Sequence, residues 1–218
     1  MSATPRRIHV LTSCTGSKVS LPRSVPAEDL YSGQHHVRLM RGVSEARAEG
    51  LEVDLSIVSA GHGIVAGSDP LTPYERTFQG RSSDDRRTMA RALTIPRDVR
   101  RVLTRPTDLH VVLLGEDYLE ACELADDIRP SAPVLMVCAA GTALGMPPIP
   151  GLDSIALSTD DTRRFNCGLV GLKGEVGGRL LAYIARDEPS IDDLTDSSLL
   201  DDLVAVRARA DVAASSLF

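Results

Sequence analysis

The sequence predicts an α/β fold: a mostly parallel sheet of about five strands with helices on both faces, Rossmann-like in layout. Three observations predict it. Short apolar, β-branched segments recur along the chain, with helical patterns between them. Those segments are continuously apolar rather than alternating, as strands covered on both faces require. Hydrophobic content is 43% with 3% aromatics and no Trp, so the core is built from Leu, Val, Ile and Ala. A chain of 218 residues fits a single α/β domain over 1–218, with a helical C-terminal segment at about 187–218.

Residues 8–13 form the first predicted strand, which ends at a loop opened by Cys14. Past Pro22 and Pro26 a helical stretch opens at 27–31. Val37, Leu39, Met40, Val43 and Ala46 carry it to Gly50, and Gly33 leaves open whether it is one helix or two. Residues 53–58 form the second strand and run into the small-residue turn Ser59-Ala-Gly-His-Gly63. Residues 70–78 read as irregular. Ser82-Ser-Asp-Asp85 signals an N-cap for a helix through Leu93, and Pro96 starts another to about Leu103. The third strand, 109–114, ends at Gly115-Glu116, and a helix over 118–128 follows with Asp117 as its expected cap. Residues 133–138 form the fourth strand, ahead of Ala-Ala-Gly-Thr142, and 154–158 a fifth. Residues 173–185 form a helix, and 191–214 supply one or two more.

Net charge is −6 and the pI is near 5.4, which argues against a basic coat for nucleic acid. A local basic stretch is nevertheless present: Arg81, Arg86, Arg87, Arg91, Arg97, Arg100, Arg101 and Arg105. It reads either as a solvated helix face or as a nucleic-acid groove. Cys14, Cys122, Cys138 and Cys167 form no Cys-x-x-Cys pair and no zinc spacing. No metal and no cofactor is therefore expected, and Cys122, Cys138 and Cys167 read as core thiols. No signal peptide pattern opens the chain, and no stretch nears the roughly 20 apolar residues of a membrane span. The expectation is a cytoplasmic protein with reduced thiols and no membrane partner. The oligomeric state stays open.

Only two lysines stand against 22 arginines. Lys18 closes Ser13-Cys14-Thr15-Gly16-Ser17-Lys18, and Lys173 lies in the glycine-rich stretch 168–175, read as a loop before a helix. Backbone N–H groups, hydroxyls and one ammonium at a strand end suit an anion. The loop lacks the Walker A order and the cysteine-phosphatase spacing, and a capped turn is the alternative. Cys14 reads as a nucleophile activated by Lys18 and His62, or as a buried inert thiol. Gly61 and Gly63 permit positive φ and close approach to a flat ligand. Between them His62 is an acid, a base or a donor, or merely exposed. Tyr74 suits stacking, and Glu75 suits stabilising positive charge. Glu116 and Tyr118 offer the same pair beyond the third strand, with Glu75 preferred for its denser neighbourhood of unusual residues. Tyr31 either clamps a ligand or packs, and Gln34, His35 and His36 read as solvated. Sites in such sheets form beyond the strands' carboxyl ends, so the Cys14, Ser59 and Gly115 loops are expected to converge.

Four motifs occur in order: Cys14-x-x-x-Lys18, Ala27-x-Asp29-Leu30-Tyr31-x-Gly33, Ser59-Ala60-x-x-Gly63 and Pro73-Tyr74-x-x-Thr77. Together they resemble a bacterial and phage family whose members read Ser-Ala-Lys-His-Gly-Leu followed by Pro-Tyr-Asp-x-Thr. That family is distantly similar to the YaaA peroxide-stress proteins. The likeness covers about the first 80 residues, and the third strand loosely. Here Ile64 follows His62-Gly63 where the family more often has Leu. The resemblance implies an α/β domain and a link to nucleobases, nucleotides or DNA-base metabolism. Carried over by position, it implies Cys14, Lys18, Tyr31, Ser59, Gly61, Gly63, Tyr74 and Glu75 as site residues.

The combined expectation is an enzyme acting on a nucleotide-like small molecule or a nucleic-acid base. Its most concrete form is N-glycosidic bond cleavage or base exchange assisted by a carboxylate. Glu75, Glu116, His62 and Cys14 are the catalytic candidates. Ser13, Thr15, Gly16, Ser17, Lys18, Tyr31, Ser59, Gly61, Gly63, Tyr74 and Lys173 are the ligand-binding candidates. The alternatives are a non-enzymatic nucleic-acid-binding stress or defence protein, gripping through residues 81–105, and a Cys14-dependent hydrolase.

Overall fold

A computed structural model describes residues 4, 6–20 and 23–206. The first half of the chain forms β1 (Arg7–Ser13), β2 (Val25–Pro26), α1 (Ala27–Leu30), α2 (Gln34–Ala48), β3 (Glu52–Ser59), β4 (Gly63–Ala66), β5 (Pro70–Leu71), α3 (Ser83–Ala92) and α4 (Ile95–Leu103). The second half forms β6 (Leu109–Leu113), α5 (Glu116–Cys122), β7 (Val134–Ala139), α6 (Ala140–Leu144), β8 (Leu152–Leu157), α7 (Asp161–Arg164) and α8 (Leu169–Asp187). A 3-10 turn at Asp193–Thr195 follows, and residues 199–206 are helical.

Six strands form one sheet in the order β4-β3-β1-β6-β7-β8. Only β4 runs antiparallel to its neighbour. Read in chain order, the parallel strands lie 2-1-3-4-5, a doubly wound arrangement whose switch point falls between β1 and β6. The chain leaves β1 toward one side of the sheet and β6 toward the other. Right-handed crossovers then put their helices on opposite faces: α2 packs against α8, while α3, α4 and α5 pack together. The fold is thus the α/β, Rossmann-like class that the apolar runs predict, and β6 is buried along its whole length.

Burial brings polar groups into the sheet, and its two histidines find partners there. His9 and His110 are register partners on β1 and β6 with their Nδ1 atoms 3.2 Å apart. His9 Nε2 lies 2.9 Å from Ser56 Oγ, and His110 Nε2 lies 3.3 Å from Ser131 Oγ. Desolvation pushes His9 down to about 3 and His110 down to about 4.

Local differences from the sequence reading have physical causes. The stretch 27–50 divides at Gly33, where a Cβ would come 2.6 Å from Thr15 Cβ. His35 and His36 are buried, not solvated, because their face of α2 is turned inward. His35 Nε2 lies 2.8 Å from Thr12 Oγ1, and His36 Nε2 donates to the Glu28 carbonyl at 2.7 Å. The glycine-rich stretch before Lys173 is helix rather than loop: Lys173 sits in the second turn of α8. The glycines serve packing there, since a Cβ on Gly174 would collide with the His35 carbonyl and one on Gly42 with the backbone of Gly178.

The helix after β6 stops at Cys122, because Glu123 turns left-handed at φ 47°. Its N-cap is Gly115, not Asp117, which pairs instead with Arg86 at 3.1 Å. β4 returns from β3 through a tight turn that places Gly63 at φ 77°. The Ser82 cap of α3 and the Pro96 start of α4 form as expected. Cys122 and Cys138 are core thiols, and Cys167 is half-buried. Residues 207–214 of the expected C-terminal helix lie outside the described residues. Among the described residues, no helix is long and apolar enough to cross a membrane.

Candidate functional site

β1, β3 and β6 run parallel, so their carboxyl ends share one rim. On the β1/β3 side, hydroxyl groups interlock. Ser59 is fully buried, and its Oγ accepts from the N–H groups of Gly61 at 3.2 Å and His62 at 3.0 Å. Ser59 Oγ also lies 2.7 Å from the Tyr74 hydroxyl, which lies 3.0 Å from that of Tyr31. Cys14 is buried, with Sγ 3.0 Å from the Tyr118 hydroxyl. Burial pushes Tyr31 up to about 12 and raises Tyr74 and Tyr118 as well, and the neighbouring Cys14 adds to the effect. All three phenols therefore keep their protons at neutral pH. A Cβ on Gly61 would come 2.7 Å from the Tyr74 ring, so glycine makes room for that ring. The exposed His62 sets its ring edge-on to Tyr74 at 4.7 Å.

The Cys14–Lys18 loop crosses the middle of the rim. Thr15 Oγ1 accepts from Gly33 N–H at 3.2 Å and donates to the Ser17 carbonyl at 2.9 Å. Lys18 pairs with Tyr31 across an isolated bridge, and its Nζ lies 4.3 Å from the Tyr74 ring centre. Gly16 and Ser17 are exposed, and their N–H groups make no hydrogen bond among the described residues. Ser13 is buried at the end of β1.

The β6 side is open and charged. Glu116, in the first turn of α5, is exposed and accepts a hydrogen bond from Thr142 Oγ1 at 3.0 Å. Lys173 reaches over from α8 to donate to the Leu114 carbonyl at 2.9 Å. A Cβ on Gly115 would lie 3.4 Å from Lys173 Nζ. Burial lowers Lys173 below the usual lysine range, opposed by Cys138 and Glu116. His35 is pushed down to about 3, first by burial and then by Lys173. A groove of about 690 Å³ runs along α5, with Glu116, Leu119, Thr142, Met146 and Arg87 among its walls.

The structure brings Cys14, Tyr31, Ser59, Gly61, His62, Gly63, Tyr74 and Lys18 together, and adds Tyr118 to them. Glu75 follows Tyr74 but is exposed, with no hydrogen bond or ion pair among the described residues. Cys14, Gly16, Ser17, Lys18, Ser59, Tyr74, Glu75 and Lys173 are not among the walls of the groove, whereas Glu116 is. Thr142 and Met146 line it without having been singled out from the sequence, and Arg87, Arg91 and Arg100 of the basic stretch line it too. Thr142 carried the best signal, since it follows a predicted parallel strand. The cations between 81 and 105 are largely matched by carboxylates: Arg86 by Asp117 and Glu120, Arg91 by Glu123, Arg97 by Asp98 and Arg100 by Asp127. Among the described residues, no group of three or more His, Cys, Asp and Glu is placed to hold a metal.

No curated protein matches the chain. A family model does, over residues 10–145, a stretch that carries the rim of β1, β3 and β6 and leaves α8 with Lys173 outside. On that match, which spans more than half of its length, the chain belongs to DUF6884, a family of unknown function.

Proposed function

We propose that the protein is an enzyme acting on a nucleotide- or nucleobase-containing ligand, and that it cleaves an N-glycosidic bond at the switch point with Glu116 as the assisting carboxylate. The observation that carries this reading is Glu116 itself. It stands at the switch point, is held by the Thr142 hydroxyl, and borders a groove of about 690 Å³, within the size range of small-molecule sites. The apolar walls at Leu119 and Met146 receive the base. Lys18 and the free N–H groups of Gly16 and Ser17 hold a phosphate.

In the reaction, the bond between the sugar C1′ and the base nitrogen breaks, and its electron pair leaves with the base. Positive charge builds at C1′, and the Glu116 carboxylate stabilises it. A water adds to C1′ and gives its proton to Glu116, which passes it to the departed base nitrogen and returns to the carboxylate. A second base in place of water gives exchange. The buried tyrosine, serine and cysteine groups of the β1/β3 side hold the loops that carry Lys18 and Gly16.

The test is a panel of nucleosides, nucleotides and short oligonucleotides, read by thermal stabilisation and by chromatography of released base. Glu116→Gln is expected to slow base release by about 10²–10³-fold while keeping the ligand's rise in melting temperature. Undiminished release in that variant removes Glu116 from the mechanism. A panel in which no member stabilises the protein overturns the reading as a whole.

A further inference from the structure

On the α2/α8 face, away from the rim, a second concavity gathers guanidinium groups. Glu175 is buried, at 2% exposure, and three arginines converge on it. Arg38 Nη1 and Arg41 Nη2 meet its Oε2 at 2.6 and 2.8 Å, and Arg179 Nε meets its Oε1 at 2.9 Å. Burial disfavours the charged form, but the Arg38 and Arg179 hydrogen bonds outweigh it and hold the carboxyl below its usual range. Arg186 pairs with Glu45 at 3.4 Å on the same wall. These side chains line a cavity of about 170 Å³, far above the ~10–15 Å³ that one water needs.

Among the described residues that line the cavity, the charges do not balance. Arg38, Arg41, Arg179 and Arg186 bring four positive charges, and Glu45 and Glu175 bring two negative ones, which leaves two in excess among them. The three arginines have separate duties. Arg179 is consumed by the fold, since its remaining groups donate to the carbonyls of Leu203, Val204 and Phe165. Arg38 and Arg41 each make one hydrogen bond, to Glu175, and among the described residues their other N–H groups are unspent. Glu175 thus fixes two guanidinium forks in place before any ligand arrives. Preorganised forks of this kind favour oxyanions that accept two parallel N–H bonds.

We propose that this cavity is a binding site for a phosphoryl dianion, distinct from the rim. A doubly charged phosphate matches the excess of two, and its oxygens suit the unspent donors of Arg38 and Arg41. The site lies on the helix pair that also carries His35 and Lys173 toward the rim, so its occupancy stiffens the support of that region.

The test is thermal unfolding and calorimetric titration of the full chain with inorganic phosphate and with glycerol phosphate, against chloride at matched ionic strength. A saturable rise in melting temperature of about 2–5 °C is expected. It is retained in Lys18→Gln, which removes the half-buried cation of the Cys14–Lys18 loop, and lost in Arg41→Gln, where affinity falls at least tenfold. Glu45→Gln, which enlarges the positive excess and leaves every arginine in place, tightens binding. A tighter glycerol phosphate assigns the site to a phosphoryl group held in an ester, and a tighter inorganic phosphate assigns it to the free ion. Either result supports the site. Calorimetry on the folded protein reads affinity directly should Arg41→Gln lower stability by itself. Equal phosphate affinity in wild type and Arg41→Gln, loss of binding in Lys18→Gln, or no effect beyond chloride overturns the proposal.

Discussion

The two sides of the rim are built on opposite principles. The β1/β3 side is dry: Ser59 is fully buried, and Tyr31, Tyr74, Tyr118 and Cys14 answer one another's polar atoms. The β6 side is wet: Glu116 is exposed, Lys173 has one backbone partner at its head, and a groove opens beside them. The difference separates two roles that a sequence motif merges. A dense run of Ser, Gly, His and Tyr marks the place where the chain locks its loops. The groups that border the groove stand next to it, on a plainer segment. Interlocked hydroxyls stiffen a rim because each lost bond strands a buried partner.

Acid gives the largest expected effect and breaks the contrast altogether. His9 and His35 resist protonation down to about 3 and His110 down to about 4 in the folded chain, while an unfolded histidine titrates near 6.5. Between those values the unfolded state binds protons that the folded state does not. Stability is therefore full above about pH 6.5 and falls as the pH drops toward about 3. Urea unfolding at pH 7, 5 and 4 is expected to show a loss of several kcal/mol, and a flat profile would contradict the neutral burial of these rings.

Ser59→Ala comes next and acts on the dry side alone. It strands the N–H groups of Gly61 and His62 and removes a partner of Tyr74. A loss of about 2–3 kcal/mol in chemical denaturation is expected. A smaller change, about 1 kcal/mol, is expected for Tyr118→Phe, which leaves Cys14 Sγ without its hydroxyl neighbour. The smallest belongs to the exposed carboxylates, one on each side: Glu116→Gln and Glu75→Gln both sit in solvent and should shift stability by no more than about 0.5 kcal/mol. An equal cost for Ser59→Ala and Glu116→Gln would erase the distinction between the two sides.

Much of the architecture was legible because parallel strands buried on both faces leave largely apolar runs, as at 8–13 and 109–114, each interrupted by a histidine. The approach of the Cys14 and Ser59 loops was legible for the same reason, since both follow such strands, whereas Tyr31 and Tyr74 joined them only through the motif resemblance. What escaped was governed by contacts distant in sequence. Gly171 read as part of a loop because its purpose, the close approach of Arg38 from α2, is invisible along one segment. His35 and His36 read as solvated because nothing local reveals which face of α2 turns inward. Glu75 gained rank from its neighbours in the chain, whereas a cavity is defined by neighbours in space, and that criterion favours Glu116.

Hydrogen exchange with and without a stabilising nucleoside or nucleotide tests the central claim most directly, because it locates the ligand on the rim. Protection is predicted along 115–119 and 142–147, together with 15–18. Protection confined to 60–64 and 74–78, with the α5 groove unchanged, would place the ligand on the interlocked side and contradict the account.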